Sequence, residues 1–311
     1  MDQDPQNFNR LAGAVESLVK QERWTRRFAN LLKLAVAAYV VFFIYMAMQS
    51  LGTDKIDTLN TREHVAVVKL EGAIMPGTKV SAERINPLLQ KAFSNSGSKA
   101  VIIHANSPGG SPVQSALIND EIVRLKNKYE KPVYVVVEDL CASGCYYIAV
   151  AADKIYANKG SMIGSIGVRM DSFGVTELME KVGIENRSMH AGEHKTFINP
   201  FSPIDEEGRQ FFQERILERT HQQFIETVRA GRGERIKETE LTYTGLVWLG
   251  DEAVENGLID GLSDIGGVQR DIIDVKHRRV YESEKSFMEE IMGDITSETS
   301  SKLSLYLSTL N

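Results

Sequence analysis

Residues 133–152 read VYVVVEDLCASGCYYIAVAA, and this stretch decides the fold. The β-branched and aromatic run from Val133 to Val137 predicts a strand that is buried on both faces of a sheet. The turn Cys141–Gly144 follows this strand, and the small residues from Tyr146 to Ala152 predict a helix after it. A strand, a turn that carries Ser143 and a helix in this order are typical of the crossover unit of a parallel sheet.

Further apolar runs of the same kind flank this unit on both sides. They predict strands over Val65–Leu70, Ala100–His104 and Lys154–Ala157. Helices that open at Ser81, and at Ser111 or Pro112, lie between them. The pattern predicts an α/β fold whose parallel sheet has right-handed crossovers. Ligands of such sheets bind beyond the carboxyl ends of the strands, where the turns at Gly109–Gly110 and at Ser143 fall.

The composition is that of an ordinary globular protein with a mildly acidic charge. The chain has 311 residues, 36 Lys and Arg against 42 Asp and Glu, and a formal net charge of −6. Such a composition excludes a disordered chain, and only 2 Cys exclude a disulfide scaffold or a Cys-rich zinc module. No long basic stripe is present, so no nucleic-acid partner is expected. We also expect no cofactor and no metal ion.

An apolar segment near the start predicts a membrane anchor. Residues Leu34–Met48 read LAVAAYVVFFIYMAM, and the 20 residues from Leu34 to Thr53 carry no charge. A helix of about 20 residues spans about 30 Å, which is enough to cross a bilayer. A buried core helix is the alternative, but the run is apolar on every face and lies near the start of the sequence, which favours the anchor. A cleaved signal peptide is disfavoured because about thirty residues precede the run and no A-x-A site follows it.

The charges that flank this segment predict its orientation. Basic residues precede it at Arg10, Lys20, Arg23, Arg26 and Arg27, but only Lys55 and Arg62 closely follow it. The positive-inside rule therefore predicts a cytoplasmic N-terminus and a translocated chain from about Asp54 onward. In a Gram-negative bacterium this describes a single-pass protein of the inner membrane with a periplasmic domain. The expected parts are a cytoplasmic segment 1–30, a signal anchor 31–53, a tether 54–64, a folded domain 65–275 and a tail 276–311.

Two features suggest nucleophilic catalysis, although each has a simpler interpretation. A serine at the start of a helix, such as Ser143, can stand exposed with the helix dipole behind it, but serine is also the commonest helix cap. Consecutive glycines, such as Gly109–Gly110, let backbone N–H groups approach a ligand, but they also form plain tight turns. The surrounding CASGC is not the G-x-S-x-G elbow of α/β-hydrolases, which disfavours that class.

The residues alone leave the identity of a general base open. The chain contains 6 His, so a Ser-His-Asp triad is compatible with the composition. Lys195 is the alternative, because a buried lysine can lose its proton near neutral pH, whereas most lysines are solvated surface charges.

Five motifs occur along the chain in a fixed order. They are Asn106–Gly110, Ala142–Tyr147, Gly164–Val168, Lys195 ahead of Asn199–Phe201, and Ala253–Asp260. Together they resemble the signal peptide peptidase A/SohB family of serine peptidases, from about Val65 to Val268 and in its short, single-anchor form. The resemblance implies a Clp protease/crotonase-like fold of repeated β-β-α and βαβ units, preceded by one transmembrane helix.

The resemblance also implies a role for each residue that matches a motif. Ser143 is then the nucleophile, Lys195 the general base of a Ser-Lys dyad and Ser165 the side chain that orients the lysine amine. Gly109 and Gly110, together with Gly144, would supply the oxyanion N–H groups. His194 is a departure from the pattern without an implied role.

The implied activity is that of a membrane-anchored endopeptidase acting on hydrophobic peptides such as released signal peptides. A homo-oligomeric ring is implied as well. A non-catalytic scaffold on the same fold is the alternative, whereas export of the domain disfavours an acyl-CoA-binding crotonase. The Leu-rich tail, SKLSLYLSTL, resembles a peptide substrate and could itself be trimmed.

The two cysteines, Cys141 and Cys145, bracket Ser143. Because a separation of four residues running into a helix suits a disulfide poorly, we expect small, buried and unpaired packing residues. Their closeness to Ser143 then predicts that thiol reagents inhibit the protein.

Overall fold

The computed structural model describes residue 24, residues 29–44, residue 46 and residues 62–282. The chain divides into two compact units, Met1–Thr61 and Arg62–Asn311. In the first unit residues 29–44 form helix α1, whose residues are exposed. No helix within the described residues is both long and apolar enough to cross a membrane. The rest of the predicted anchor, most of the tether and most of the tail lie outside the described residues.

The second unit is built on a single sheet of eight strands. The strands are β1 (His64–Glu71), β2 (Ser98–Ser107), β3 (Val133–Ala142), β4 (Lys154–Ala157), β5 (Met162–Gly164), β6 (Val247–Leu249), β7 (Gly261–Leu262) and β8 (Arg278–Tyr281). Their order is β6-β5-β3-β2-β1-β8, with β4 beside β3 and β7 beside β4. All pairs are parallel except β5 with β6. The predicted α/β class is confirmed.

Helices connect the strands and cover the sheet. They are α2 (Ala82–Ser94), α3 (Pro112–Tyr129), α4 (Gly144–Ala149), α5 (Thr176–Lys181), α6 (Glu206–Phe212), α7 (Glu218–Arg232), α8 (Gly250–Glu255) and α9 (Ile265–Gly267). A π-helical stretch, Gln213–Leu217, joins α6 to α7, and a second one, Val268–Ile273, continues α9. Helix α6, the first π-helical stretch and α7 form one continuous helical run from Glu206 to Arg232.

Two apolar clusters lie on the two faces of the sheet. Successive side chains of a strand point to opposite faces, so Val65 and Val67 of β1 join the smaller cluster and Ala66 and Val68 join the larger one. The larger cluster holds the buried sides of α2, α3, α4 and α7, whereas Val268 covers the smaller one. This two-sided burial explains why the central strands are continuously apolar.

Strand β3 is shared between two neighbours on the same side, and this division positions the candidate site. Residues 134–137 pair with β4, whereas residues 140–142 pair with β5. Where the partner changes, the Ser161 hydroxyl donates a hydrogen bond to the carbonyl of Glu138. The last residues of β3 therefore extend past the end of β4 and carry Ser143 to the carboxyl edge of the sheet.

The last of the five motifs, Ala253–Asp260, is bound to the core by a buried arginine. Arg232 of α7 is 1% exposed and donates to the carbonyl of Gly257 at 2.9 Å and to Asp260 at 2.7 Å. Asp260 also accepts from the amide of Ile155 in β4 at 2.7 Å. Gly257 has φ +71° and lies so near Arg235 that an added Cβ would stand 1.8 Å from its carbonyl oxygen. This motif therefore has a structural role that joins α7, α8 and β4.

The sheet extends beyond the predicted domain boundaries. Strand β8 falls in the stretch predicted as tail, yet it pairs in parallel with β1. Tyr281 at its end is buried and its hydroxyl lies 3.2 Å from Nε2 of His64, which the sequence placed in the tether. A four-residue strand with two arginines carries little local signal, and its pairing with the start of the domain is a long-range contact.

Candidate active site

Ser143 occupies the one-residue turn between β3 and α4. Its backbone has φ +52° and ψ −122°, a region that side-chain-bearing residues rarely adopt. The Ser143 amide donates to the carbonyl of Gly164 at 2.8 Å, and its carbonyl accepts from the amide of Tyr147 at 3.0 Å. The predicted position of this serine, between a strand and a helix N-terminus, is confirmed.

Cys141 and Cys145 form a disulfide across this turn. The expectation of unpaired packing residues, and with it the predicted inhibition by thiol reagents, is therefore wrong, although both residues are buried as expected. The reason is the positive φ of Ser143, which reverses the chain between the cysteines. Their Cα atoms come to 5.1 Å, inside the range that a disulfide requires.

The three predicted oxyanion glycines differ in what their amides do. The Gly109 amide donates a hydrogen bond to Oγ of Ser107 at 3.1 Å, so it is not free to bind an oxyanion. Around Gly110, the Ile74 amide donates to the Gly109 carbonyl and the Ser111 amide donates to the Ile74 carbonyl. This parallel-bridge pattern directs the Gly110 amide away from Ile74 and toward the start of α4.

Gly144 faces that amide from the other side. An added Cβ on Gly144 would lie 3.2 Å from the Gly110 nitrogen and 2.4 Å from Oγ of Ser115. Within residues 62–282 the amides of Gly110 and Gly144 have no acceptor, and both adjoin Ser143. These two amides, rather than that of Gly109, can hold an oxyanion.

Ser165 is held in a second strained turn beside the first. It has φ +50°, and its amide donates to the carbonyl of Leu246 at 2.7 Å. The preceding residue, Gly164, supplies the carbonyl that binds the Ser143 amide, so the two serine turns are linked through β5.

Both serines and all three glycines line one cleft of about 1040 Å³. Val113 and Ala116 of α3, together with Tyr147 and Phe224, add apolar groups to this lining. The ring of Tyr147 packs against Phe224 with the centroids 5.2 Å apart, and its hydroxyl accepts from Thr227 at 3.0 Å. Phe224 thus belongs to the larger apolar cluster and also borders the cleft, which a helical apolar stripe in the sequence does not reveal.

Lys195 does not line this cleft. It is exposed in the turn that follows Gly192, whose carbonyl accepts the Lys195 amide at 3.1 Å. Its exposed position matches that of a solvated surface lysine, and its role as general base stays a prediction. The structure thus brings together Ser143, Ser165 and the glycines, but not the lysine.

His194 precedes Lys195 and binds a neighbouring helix cap. Its Nδ1 lies 2.9 Å from Oδ2 of Asp205, whose Oδ1 accepts from the amide of Gly208 at the start of α6. The hydrogen bond with Asp205 raises the pKa of His194 above its ordinary value. The pair ties the Lys195 turn to α6.

Comparison with known proteins identifies the domain. Residues 125–276 match the profile of Peptidase family S49. Residues 125–276 are thus similar to the peptidases of family S49. This match confirms the resemblance to the signal peptide peptidase A/SohB serine peptidases, whereas the Clp protease/crotonase type of the α/β fold stays a prediction.

Proteins similar to this chain carry several names. The Na⁺/H⁺ antiporter NhaA of Brucella melitensis biotype 1 is 42% identical over 206 residues, which cover 65% of this chain and 28% of that protein. A putative signal peptide peptidase SppA of Enterococcus faecium is 32% identical over 186 residues, which cover 60% of this chain and 52% of that protein. The solved structure of the 1510-N membrane-bound stomatin-specific protease with a substrate peptide covers 76% of this chain and 99% of that chain at 16% identity and a TM-score of 0.46. The chain thus spans only part of these curated relatives.

Proposed function

We propose that the protein is a serine endopeptidase in which Ser143 is the nucleophile. The observation that carries the proposal is the strained turn at Ser143, which opens on the cleft next to the free amides of Gly110 and Gly144. A strained serine beside two converging amides is the arrangement that acyl transfer requires. The S49 domain assignment supports the same chemistry.

The reaction follows from the roles of these groups. A base removes the proton of Ser143 Oγ as it attacks the substrate carbonyl, and the Gly110 and Gly144 amides stabilise the negative oxygen that forms. The C–N bond then breaks, the base protonates the leaving amine, and an acyl ester remains on Ser143. Water hydrolyses this ester and restores the hydroxyl. By resemblance Lys195 is the base and Ser165 orients its amine.

We extend the proposal to hydrophobic peptides such as released signal peptides. The apolar lining of the cleft at Val113, Ala116, Tyr147 and Phe224 supports this substrate class. The name of the Enterococcus faecium relative is consistent with it.

The membrane location is part of the same proposal. The uncharged run from Leu34 to Thr53 and the basic residues before it support a single-pass anchor with the peptidase domain outside the cytoplasm. In spheroplasts of a Gram-negative host, an added protease should then degrade the domain from about Asp54 onward. Full protection of the domain in intact spheroplasts would contradict this topology.

A homo-oligomeric ring is supported by exposed apolar side chains in residues 170–204. They include Phe173, Leu178, Val182, Met189, Phe201 and Ile204, which are 51–98% exposed. Such a concentration is typical of a surface that contacts another chain. Light scattering on the purified full chain should report an oligomer that the substitution Phe173→Glu weakens. A parent protein that is monomeric at all concentrations would contradict the ring.

Hydrolysis of a fluorogenic apolar peptide by the full chain in detergent tests the dyad. We expect Ser143→Ala and Lys195→Ala each to lose activity by about 1,000-fold or more. The matched controls Ser94→Ala and Lys181→Ala change exposed residues of the same types and should keep parental turnover. Undiminished turnover in Ser143→Ala would refute the nucleophile, whereas undiminished turnover in Lys195→Ala alone would refute only the base.

A non-catalytic scaffold is the second candidate, and the exposed position of Lys195 outside the cleft favours it. On this alternative the parent protein shows no turnover that depends on Ser143, although it binds peptides in the cleft.

A further inference from the structure

The disulfide Cys141–Cys145 encloses the proposed nucleophile symmetrically, two residues before it and two after it. Cys141 is in register with Ser107 of β2 on one side and with Ile163 of β5 on the other. Cys145 belongs to the first turn of α4. The bond therefore links α4 covalently to the middle of the sheet at the point where the chain reverses.

The conformation at Ser143 needs such a constraint. A residue with a side chain keeps a positive φ only where the surrounding structure fixes it. The backbone of Ser143 makes two hydrogen bonds: its amide donates to the Gly164 carbonyl, and its carbonyl accepts from the Tyr147 amide. Gly164 belongs to a strand of only three residues. The other side of the turn borders the cleft, which Ser143 and Gly144 line.

The position of the disulfide in the sequence indicates a local role. A cross-link restricts the unfolded chain more as the closed loop lengthens, and this one closes a separation of only four residues. Its contribution to global stability is therefore small for a disulfide, and its effect is concentrated on the turn. Both cysteines are at most 1% exposed, so the bond is also sheltered from reductants.

We propose that the Cys141–Cys145 disulfide is a positioning element, which holds Ser143 Oγ and the Gly144 amide in the geometry for attack on a peptide. The proposal rests on the proposed peptidase function. It also fits an oxidising compartment outside the cytoplasm, where such bonds form and persist.

The double variant Cys141→Ala/Cys145→Ala of the full chain tests this role. We expect its kcat to fall by about 10- to 100-fold because a small misplacement of a reacting group has effects of that size, while KM stays within about twofold. Hydrogen exchange of the peptide that contains Ser143 should become faster. The control Val268→Ala shortens a buried side chain in the smaller apolar cluster and should lower stability without changing kcat.

A second form of the experiment covers the case in which the double variant does not fold. The parent chain is produced and kept in a dithiol, which gives two electrons and two protons to the cysteines and itself becomes a cyclic disulfide. Alkylation followed by mass measurement confirms that both thiols are free. The kcat of this reduced chain should fall as in the double variant.

The outcomes separate the positioning role from the function. A double variant or reduced chain with parental kcat and unchanged exchange at Ser143 overturns the positioning role. A parent protein without Ser143-dependent turnover overturns the proposed function instead, and the exchange of the Ser143 peptide then still decides whether the disulfide fixes the turn.

Discussion

The turn that carries Ser143 and the segment that carries Lys195 are built in opposite ways. Around Ser143 the backbone is held by a disulfide, by hydrogen bonds to two elements and by the larger apolar cluster. In residues 170–204 no residue is buried, and the only regular element is the six-residue helix α5. Its ties to the rest of the domain include the pair His194–Asp205 and packing of Phe197 against Phe212.

This difference shows which part of the proposed dyad the chain fixes by itself. The positions of Ser143, the proposed nucleophile, and of the two proposed oxyanion amides are set by core packing and covalent structure, so their geometry is present before substrate binds. The proposed base lies on a surface segment outside the cleft. A Ser-Lys mechanism therefore requires this segment to bring Lys195 within hydrogen-bond reach of Ser143 Oγ.

In the comparison of the two regions, the largest expected effect is a loss of turnover when a methyl group is added at Gly144. Gly144→Ala places a Cβ 2.4 Å from Oγ of Ser115, so the start of α4 must shift and carry the oxyanion amide with it. We expect turnover of the fluorogenic peptide to fall by about 100-fold or more. Gly174→Ala is the matched change in the Lys195 segment, where a Cβ meets nothing within 4 Å, and it should keep parental turnover.

A further substitution shows whether the clash with Ser115 causes the loss of turnover in Gly144→Ala. Ser115→Ala removes the atom nearest to the new methyl group, so Ser115→Ala/Gly144→Ala should recover part of the lost turnover. Equal turnover in Gly144→Ala and Gly174→Ala would mean that the Ser143 turn is not rigid, and the contrast between the regions would fail.

The sequence predicts the rigid region well and the exposed one poorly. The strand predicted over Lys154–Ala157 has the same bounds in the structure, and Ser111 caps α3 by accepting from the amide of Gln114. These features depend on local pattern, which a single sequence contains. The order of the motifs also placed Ser143 and Ser165 at one site.

The features that the sequence did not predict depend on contacts or backbone conformations that a local pattern does not contain. Strand β8 exists because it pairs with β1, and the Gly109 amide is used because Ser107 turns back toward it. The disulfide depends on the positive φ at Ser143, which spacing alone does not contain. The exposure of Lys195 is not contained in the motif order either, because burial is decided by which elements cover a residue.

Limited trypsin digestion compares the local stability of the Lys195 segment with that of the region around Ser143. Among cuts inside residues 62–282, those after Lys181, Arg187 or Lys195 should come first, because exposed segments with few buried contacts open at little cost in free energy. We expect them to be at least about tenfold faster than cuts between 62 and 164. Mass spectrometry of the earliest fragments identifies the sites. A first cut in β1 to β5 would place the less stable region on the other side of the site.

The smallest expected effect concerns pH and the pair His194–Asp205. Because its hydrogen bond with Asp205 raises the pKa of His194 above 6.5, the pair stabilises the segment fully below pH 6.5 and loses this as the pH rises through the raised value. The amide of Gly208 and then His194 lower the pKa of Asp205 below 3.8, so its contribution is lost only as the pH falls through that lowered value. The pair is therefore strongest between about pH 4 and 6.5.

Amide hydrogen exchange, corrected for the pH dependence of the intrinsic exchange rates, tests this pH dependence. Peptides around Lys195 should lose protection by no more than about fivefold between pH 6 and pH 8.5, because exposed ion pairs contribute little. Asp205→Asn keeps an oxygen for the Gly208 amide but removes the charge, so it should remove most of the pH dependence, while the peptide that contains Ser143 stays unchanged in both proteins. Glu193 and Glu207 also raise the pKa of His194, and the change left in Asp205→Asn measures their share. If the Ser143 peptide followed the same pH dependence, the two regions would be coupled, and the separation between a fixed nucleophile and an exposed base would not hold.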